Sequence, residues 1–135
     1  MLEKRTIFGT ILINLGTKSV ITPVYFYKTS LGNEPVREWL KEFNQEDKKT
    51  IGDDLQTVQI GWKAGLIREP LVKCLGHGLF ELRSSLPSHR IARLFFCTDE
   101  NQIVLLHGFI KKTQKTPVAE LVLAQDRQDT LKVKR

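Results

Sequence analysis

Cysteine is scarce in this chain. Cys74 and Cys97 are the only two in 135 residues, and they form no C-x-x-C pair. A disulfide framework, a zinc ribbon and a dithiol redox motif therefore lack support. The two thiols read as reduced and mostly buried, which suits a cytoplasmic protein. No apolar run reaches 18 residues, so neither a transmembrane helix nor a membrane partner is expected. Nine glycines and five prolines are too few for a fibrous or low-complexity chain. There is no G-x-G-x-x-G, no phosphate loop and no G-x-S-x-G, which leaves nucleotide-fold and serine-hydrolase readings without a motif. The three histidines, His77, His89 and His107, show no i,i+4 pairing and no acidic cluster beside them. Neither a metal nor a cofactor is expected. Near the N-terminus, Lys4 and Arg5 precede a short apolar stretch, but Asn14 interrupts it and no small-x-small cleavage pattern follows. Export is not expected.

What remains is a chain of one-domain size with an ordinary apolar content of 41% and an excess of positive charge, +6. The excess is localised. Residues 63–115 hold nine Lys and Arg against four Asp and Glu, whereas residues 28–62 hold five against seven. A localised basic excess points to a polyanion, nucleic acid first. The plainer explanation is a surface that is basic for solubility.

Residues 6–27 are rich in Ile, Val, Thr, Phe and Tyr and read as strand, turn, strand, with Val24–Lys28 the firmest. The alternative is that the first 22 or 23 residues are a loosely attached extension. Asn33 is a plausible N-cap for a helix near 34–45, with Val36, Trp39, Leu40 and Phe43 at helical spacing. A second helix is expected near 47–59, with Ile51, Leu55 and Val58 as its buried stripe. This helical hairpin carries no assigned chemistry. From Leu71 the period changes to two. Leu71–Leu75, Gly78–Arg83, Arg90–Cys97 and Ile103–Phe109 read as an antiparallel meander joined by short polar links. Residues 118–128 return to helix, and 131–135 form a basic tail. The expected fold is α+β, an antiparallel-rich sheet with the helical hairpin packed on one face and a C-terminal helix.

Alternation along the meander puts Phe80 and Leu82 on one face, Glu81 and Arg83 on the other. Arg90 and Arg93 are three apart, so only one of them can share a surface with Arg83 unless a bulge intervenes. Lys111, Lys112 and Lys115 follow the last strand. A cationic sheet face of this kind could cup a folded RNA or a ribosome; an exposed face with scattered charges is the plainer reading. His107, inside an apolar strand, is either a core histidine or a general acid or base beside that face.

Several stretches resemble the RelE/HigB superfamily of bacterial toxins, most closely its phage-derived, HigB-like branch. They are Val24-Tyr25-Phe26-Tyr27, Lys73, Glu81-Leu82-Arg83-Ser84-Ser85, His89-Arg90-Ile91 and the run from His107 to Pro117. The resemblance covers about residues 24–130, the expected toxin domain, and leaves 1–23 outside. It implies a RelE-like fold and the toxin of a toxin–antitoxin pair. Such a toxin is neutralised by a cognate antitoxin, expected to be a helix-turn-helix protein, and cleaves mRNA on the ribosome. The reaction is attack of a ribose 2′-OH on its neighbouring phosphate, which needs a base, an acid and neutralisation of the phosphorane, but no metal. By resemblance, Arg83 and Arg90 match the arginines that act on the phosphate, and Lys111 and Lys112 match the basic pair after the last strand. Lys73, Arg93 and Lys115 are further expected RNA contacts. Relatives carry a lysine where this chain has Glu81, and a tyrosine in the C-terminal helix where it has none. Glu81, His107 or a lysine of lowered pKa is left for proton transfer. The alternatives are a ParE-like inhibitor of DNA gyrase that cleaves nothing, and a plain nucleic-acid-binding module.

Overall fold

The computed structural model describes the backbone of residues 6–7 and 10–11, then residues 21–111 and 117–133. Two short strands, β1 (Thr6–Ile7) and β2 (Thr10–Ile11), pair antiparallel. A five-stranded sheet follows from β3 (Val24–Phe26), β4 (Val72–Gly76), β5 (Leu79–Leu86), β6 (Arg90–Asp99) and β7 (Gln102–Ile110), in the order β3-β7-β6-β5-β4. Strands β4 to β7 form the expected meander. Its turns put His77 at φ 55° and, in consecutive positions, Glu100 and Asn101 at φ 51° and 65°. The last pair is the primed two-residue turn that matches the twist of a hairpin. Strand β3 precedes the helical crossover that leads to β4 and lies parallel to β7, with Val24 opposite Ile103.

Helices α1 (Pro35–Lys41) and α2 (Gln45–Gly61) fill that crossover. Proline at the first position suits α1. The cap is Glu34, without a side-chain bond, rather than Asn33, whose backbone instead pairs with Thr29. Asn44 caps α2, accepting from the Asp47 backbone at 2.8 Å. Leu40, Ile51, Leu55 and Val58 of these helices pack on Leu82, Leu94, Phe96, Ile103 and Leu105. Each such side chain contributes about 1.5–3 kcal/mol when fully withdrawn from water. Gly108 sits in the middle of β7 for a packing reason: a Cβ there would fall 2.6 Å from Cε3 of Trp39, whose ring lies on the strand.

Helix α3 (Val118–Val133) packs on the opposite face, against Leu79, Phe95, Cys97, Val104 and Leu106. The sheet is therefore covered from both sides rather than one. The cause is visible in β6, where Leu94-Phe95-Phe96-Cys97 is apolar on both faces and each face needs a cover. Polar clamps hold α3 in place. Arg127 donates to the Leu106 carbonyl at 2.7 Å, and its guanidinium lies 5.6 Å from the Tyr27 ring centre. Gln128 donates to the His77 carbonyl at 2.9 Å. No helix among the described residues is long and apolar enough to cross a membrane.

Candidate active site

Strand alternation sends Leu82 and Ser84 of β5 toward α2, and Glu81 and Arg83 toward the α3 side. The β5–β6 register runs without interruption and sets Arg83 directly opposite Arg93. On the far side of β5, Lys73 of β4 lies opposite Glu81. Lys111, just past β7, is anchored by its backbone N–H to the Ile91 carbonyl at 3.2 Å. Four cations and one carboxylate thus gather on one end of this sheet face, while α3 packs on the other end.

Glu81 is the centre of the group and is only 1% exposed. Its Oε1 accepts from Arg83 Nε and from Arg93 Nη1, each at 3.1 Å. Its Oε2 is buried without a hydrogen-bond partner, as is Arg93 Nε. Two arginines provide the charge that lets this carboxylate be buried. One carboxylate does not balance four cations, and Lys111 registers the surplus. Its pKa is pushed below the ordinary lysine value by loss of solvent and by repulsion from Arg93, Arg83 and Lys73, with Glu81 opposing. Arg83 remains partly exposed and has terminal nitrogens beyond the one Glu81 occupies. A face of this composition attracts a phosphate and can pair with it through an arginine fork.

Arg90 is not part of the group. With no bulge between β5 and β6, it points to the α2 side and grips Asp47 through two hydrogen bonds of 2.8 and 3.0 Å. That bond and the Asp47 and Glu46 charges raise its pKa against the cost of desolvation. The expectation that Arg83 and Arg90 would attend one phosphate is corrected by this geometry, and Arg93 stands where Arg90 was expected. His107 does lie on the α3 side, but Glu120 of α3 engages its Nε2 at 3.0 Å and its ring stacks on Phe109. It reaches that side because the β6–β7 register shifts between Phe95 and Phe96. The extra residue in β7 reverses the alternation, so Leu106 and His107 share a face. Lys112 and Lys115 lie outside the described residues.

Sequence reasoning gave α2 no chemistry. Yet Thr50 and Asp54 of α2 line a cleft of about 520 Å³ whose other wall includes Arg83 and Arg93. A buried serine, Ser84, donates to Asp54 Oδ2 at 2.6 Å. A carboxylate in the middle of a helix hairpin carries no local signal of such a position.

The fold and site define a small α+β protein whose five-stranded sheet is sandwiched by helices and carries an arginine–lysine cluster at one end. Residues 38–129 match the family model described as Phage derived protein Gp49-like (DUF891). The match takes in more than half of the chain, which belongs to this Gp49-like family of phage-derived proteins. No curated protein matches it.

Proposed function

We propose that this chain is the toxin of a toxin–antitoxin pair and acts as a ribosome-dependent, metal-independent mRNA endoribonuclease. The observation that carries the reading is the convergence of Arg83, Arg93, Lys73 and Lys111 around the buried Glu81 on one end of the sheet. In the reaction the ribose 2′-oxygen bonds to phosphorus and the bond from phosphorus to the 5′-oxygen breaks. The products are a 2′,3′-cyclic phosphate and a 5′-hydroxyl. Arg83 and Arg93 hold the phosphate and neutralise the charge that grows on it. Glu81, whose buried Oε2 has no hydrogen-bond partner, is the acceptor for the 2′-OH proton once a bound phosphate draws Arg83 and Arg93 from it and uncovers the carboxylate. Lys111, whose lowered pKa makes it a better proton donor, protonates the leaving 5′-oxygen. A helix-turn-helix antitoxin with an acidic or amphipathic segment would neutralise the toxin by covering this face.

The test is cleavage of a defined mRNA on ribosomes by the wild type, Arg83→Ala and Arg93→Ala. Loss of one preorganised donor to a developing oxyanion lowers the rate roughly 10²–10³-fold. Arg83→Lys should rescue poorly, since an ammonium cannot form the planar fork. Wild-type rates in both alanine variants would refute the assigned roles. Growth arrest by a wild type that never cuts RNA would transfer the reading to gyrase-type inhibition.

A further inference from the structure

Strand β4 begins at Val72, opposite Leu82, so Ser84–Leu86 of β5 have no strand neighbour on that side among the described residues. The cleft occupies this gap and runs from the two arginines to α2. Its volume lies within the range of about 300–1,000 Å³ usual for small-molecule sites. It has three chemically distinct parts. Arg83 and Arg93 form the cationic end. Pro70, Leu71 and Ile91 form an apolar wall. Leu71 is fixed to the sheet, because its carbonyl accepts from the Arg83 N–H at 2.8 Å. Thr50 and Asp54 form a polar rim on α2.

Asp54 is the informative residue. It is half-buried and held by the fully buried Ser84, which donates to its Oδ2 at 2.6 Å. No ion pair with any described cation involves it, although two arginines line the same cleft. Its Oδ1 has no hydrogen bond among the described residues. A fixed carboxylate with spare acceptor capacity selects a ligand edge made of N–H donors, because it can accept but not donate.

We propose that this cleft is a nucleobase subsite, and that it selects guanine at the nucleotide whose phosphate the arginines hold. The proposal rests on the reading of Arg83 and Arg93 as phosphate ligands. The three parts of the cleft match the three parts of a nucleotide: a phosphate, a flat apolar ring and a hydrogen-bonding edge. Among the four RNA bases, guanine alone presents two donors side by side, N1–H and the 2-amino group. Adenine and cytosine each set one amino group beside a ring acceptor that a carboxylate repels. Uracil places its single N–H between two carbonyls. Asp54 therefore pairs well with guanine and is repelled in part by each of the others.

The measurement is calorimetric titration of the full chain, without ribosomes, with the 5′-monophosphates of guanosine, inosine, adenosine, cytidine and uridine. Guanosine monophosphate should bind tightest, by roughly 5- to 150-fold over the adenosine, cytidine and uridine nucleotides. Inosine monophosphate differs from it only by the missing 2-amino group and should bind at least about fivefold more weakly. That comparison needs no substitution. Asp54→Asn keeps an oxygen for Ser84 and should abolish the guanosine preference. Arg83→Ala should weaken all five ligands alike. Equal binding of the five nucleotides, no binding of any at millimolar concentration, or an unchanged ranking in Asp54→Asn would overturn the proposal. An Asp54-dependent guanosine preference in a protein that never cuts mRNA would retain the subsite and refute the nuclease. Cleavage by a protein with no nucleotide discrimination would do the reverse.

Discussion

Arg90 and Asp47 are joined by two hydrogen bonds, Nη1 to Oδ2 at 2.8 Å and Nη2 to Oδ1 at 3.0 Å, across the interface between β6 and α2. The pair ties the start of β6 to the first turn of α2. The Asp47 side chain is only 2% exposed, whereas that of Arg90 is 36% exposed. The asymmetry decides what happens when either partner is removed. Arg90→Ala strands a buried carboxylate, and a buried charge without its partner costs more than the lost hydrogen bonds alone.

The first prediction follows from that asymmetry. Arg90→Ala should lower the urea midpoint of unfolding, and Asp47→Asn in the same chain should restore part of it. Cleavage by Arg90→Ala, corrected for the folded fraction, should stay near wild type. A variant of wild-type stability that has lost cleavage would return Arg90 to the reacting centre.

Glu81 yields the second prediction. Its Oε1 accepts from both Arg83 and Arg93, and the Arg93 side chain is 9% exposed. Glu81→Ala should therefore destabilise the fold by about 3–5 kcal/mol, the usual cost of removing one partner from a buried ion pair. Urea unfolding measures this directly. Glu81→Gln keeps the shape and an oxygen for the arginines, so it isolates the chemical role. If Oε2 takes the 2′-OH proton, this variant should fold, bind RNA and lose cleavage. Cleavage at the wild-type rate would place the general base elsewhere.

The sheet and its flanking helices were legible because they rest on short-range patterns. The switch of period near residue 70, the turn residues and the apolar stripes of Ile51, Leu55 and Val58 are all local. The face shared by Glu81 and Arg83 was legible for the same reason. What was not legible depends on residues far apart in the chain. Asp47 and Arg90 are 43 positions apart, and nothing near either one marks the other. The burial of Glu81 depends on Arg93, which the next strand places beside it. The stretch Val104–Phe109 carries no mark of the register shift that turns His107 toward α3. Coverage of the second face by α3 was half-visible in Phe95 and Cys97, but which helix would cover them is a tertiary matter.

Lys111 gives the third prediction, in which stability and function move in opposite directions. Solvent loss and the charges of Arg93, Arg83 and Lys73 hold its folded-state pKa below the ordinary 10.5. Between the lowered value and 10.5, the unfolded chain holds a proton that the folded chain has released. Stability must rise with pH across that window. Below the window both states are protonated, and the folded state carries the whole repulsive penalty. Lys111→Gln removes the charge, so it should raise the thermal midpoint at neutral pH. It should also flatten the rise in stability on the alkaline side of neutrality. The same change removes one cation and the proton donor from the site, so phosphate affinity and cleavage should fall together. Thermal melts between neutral pH and pH 10.5 on both proteins, beside ribosome-dependent cleavage, test the two halves at once. A variant that is less stable at neutral pH would mean that Lys111 is held by attraction to Glu81 rather than repelled by the arginines. A variant that cuts at the wild-type rate would remove Lys111 from the reaction.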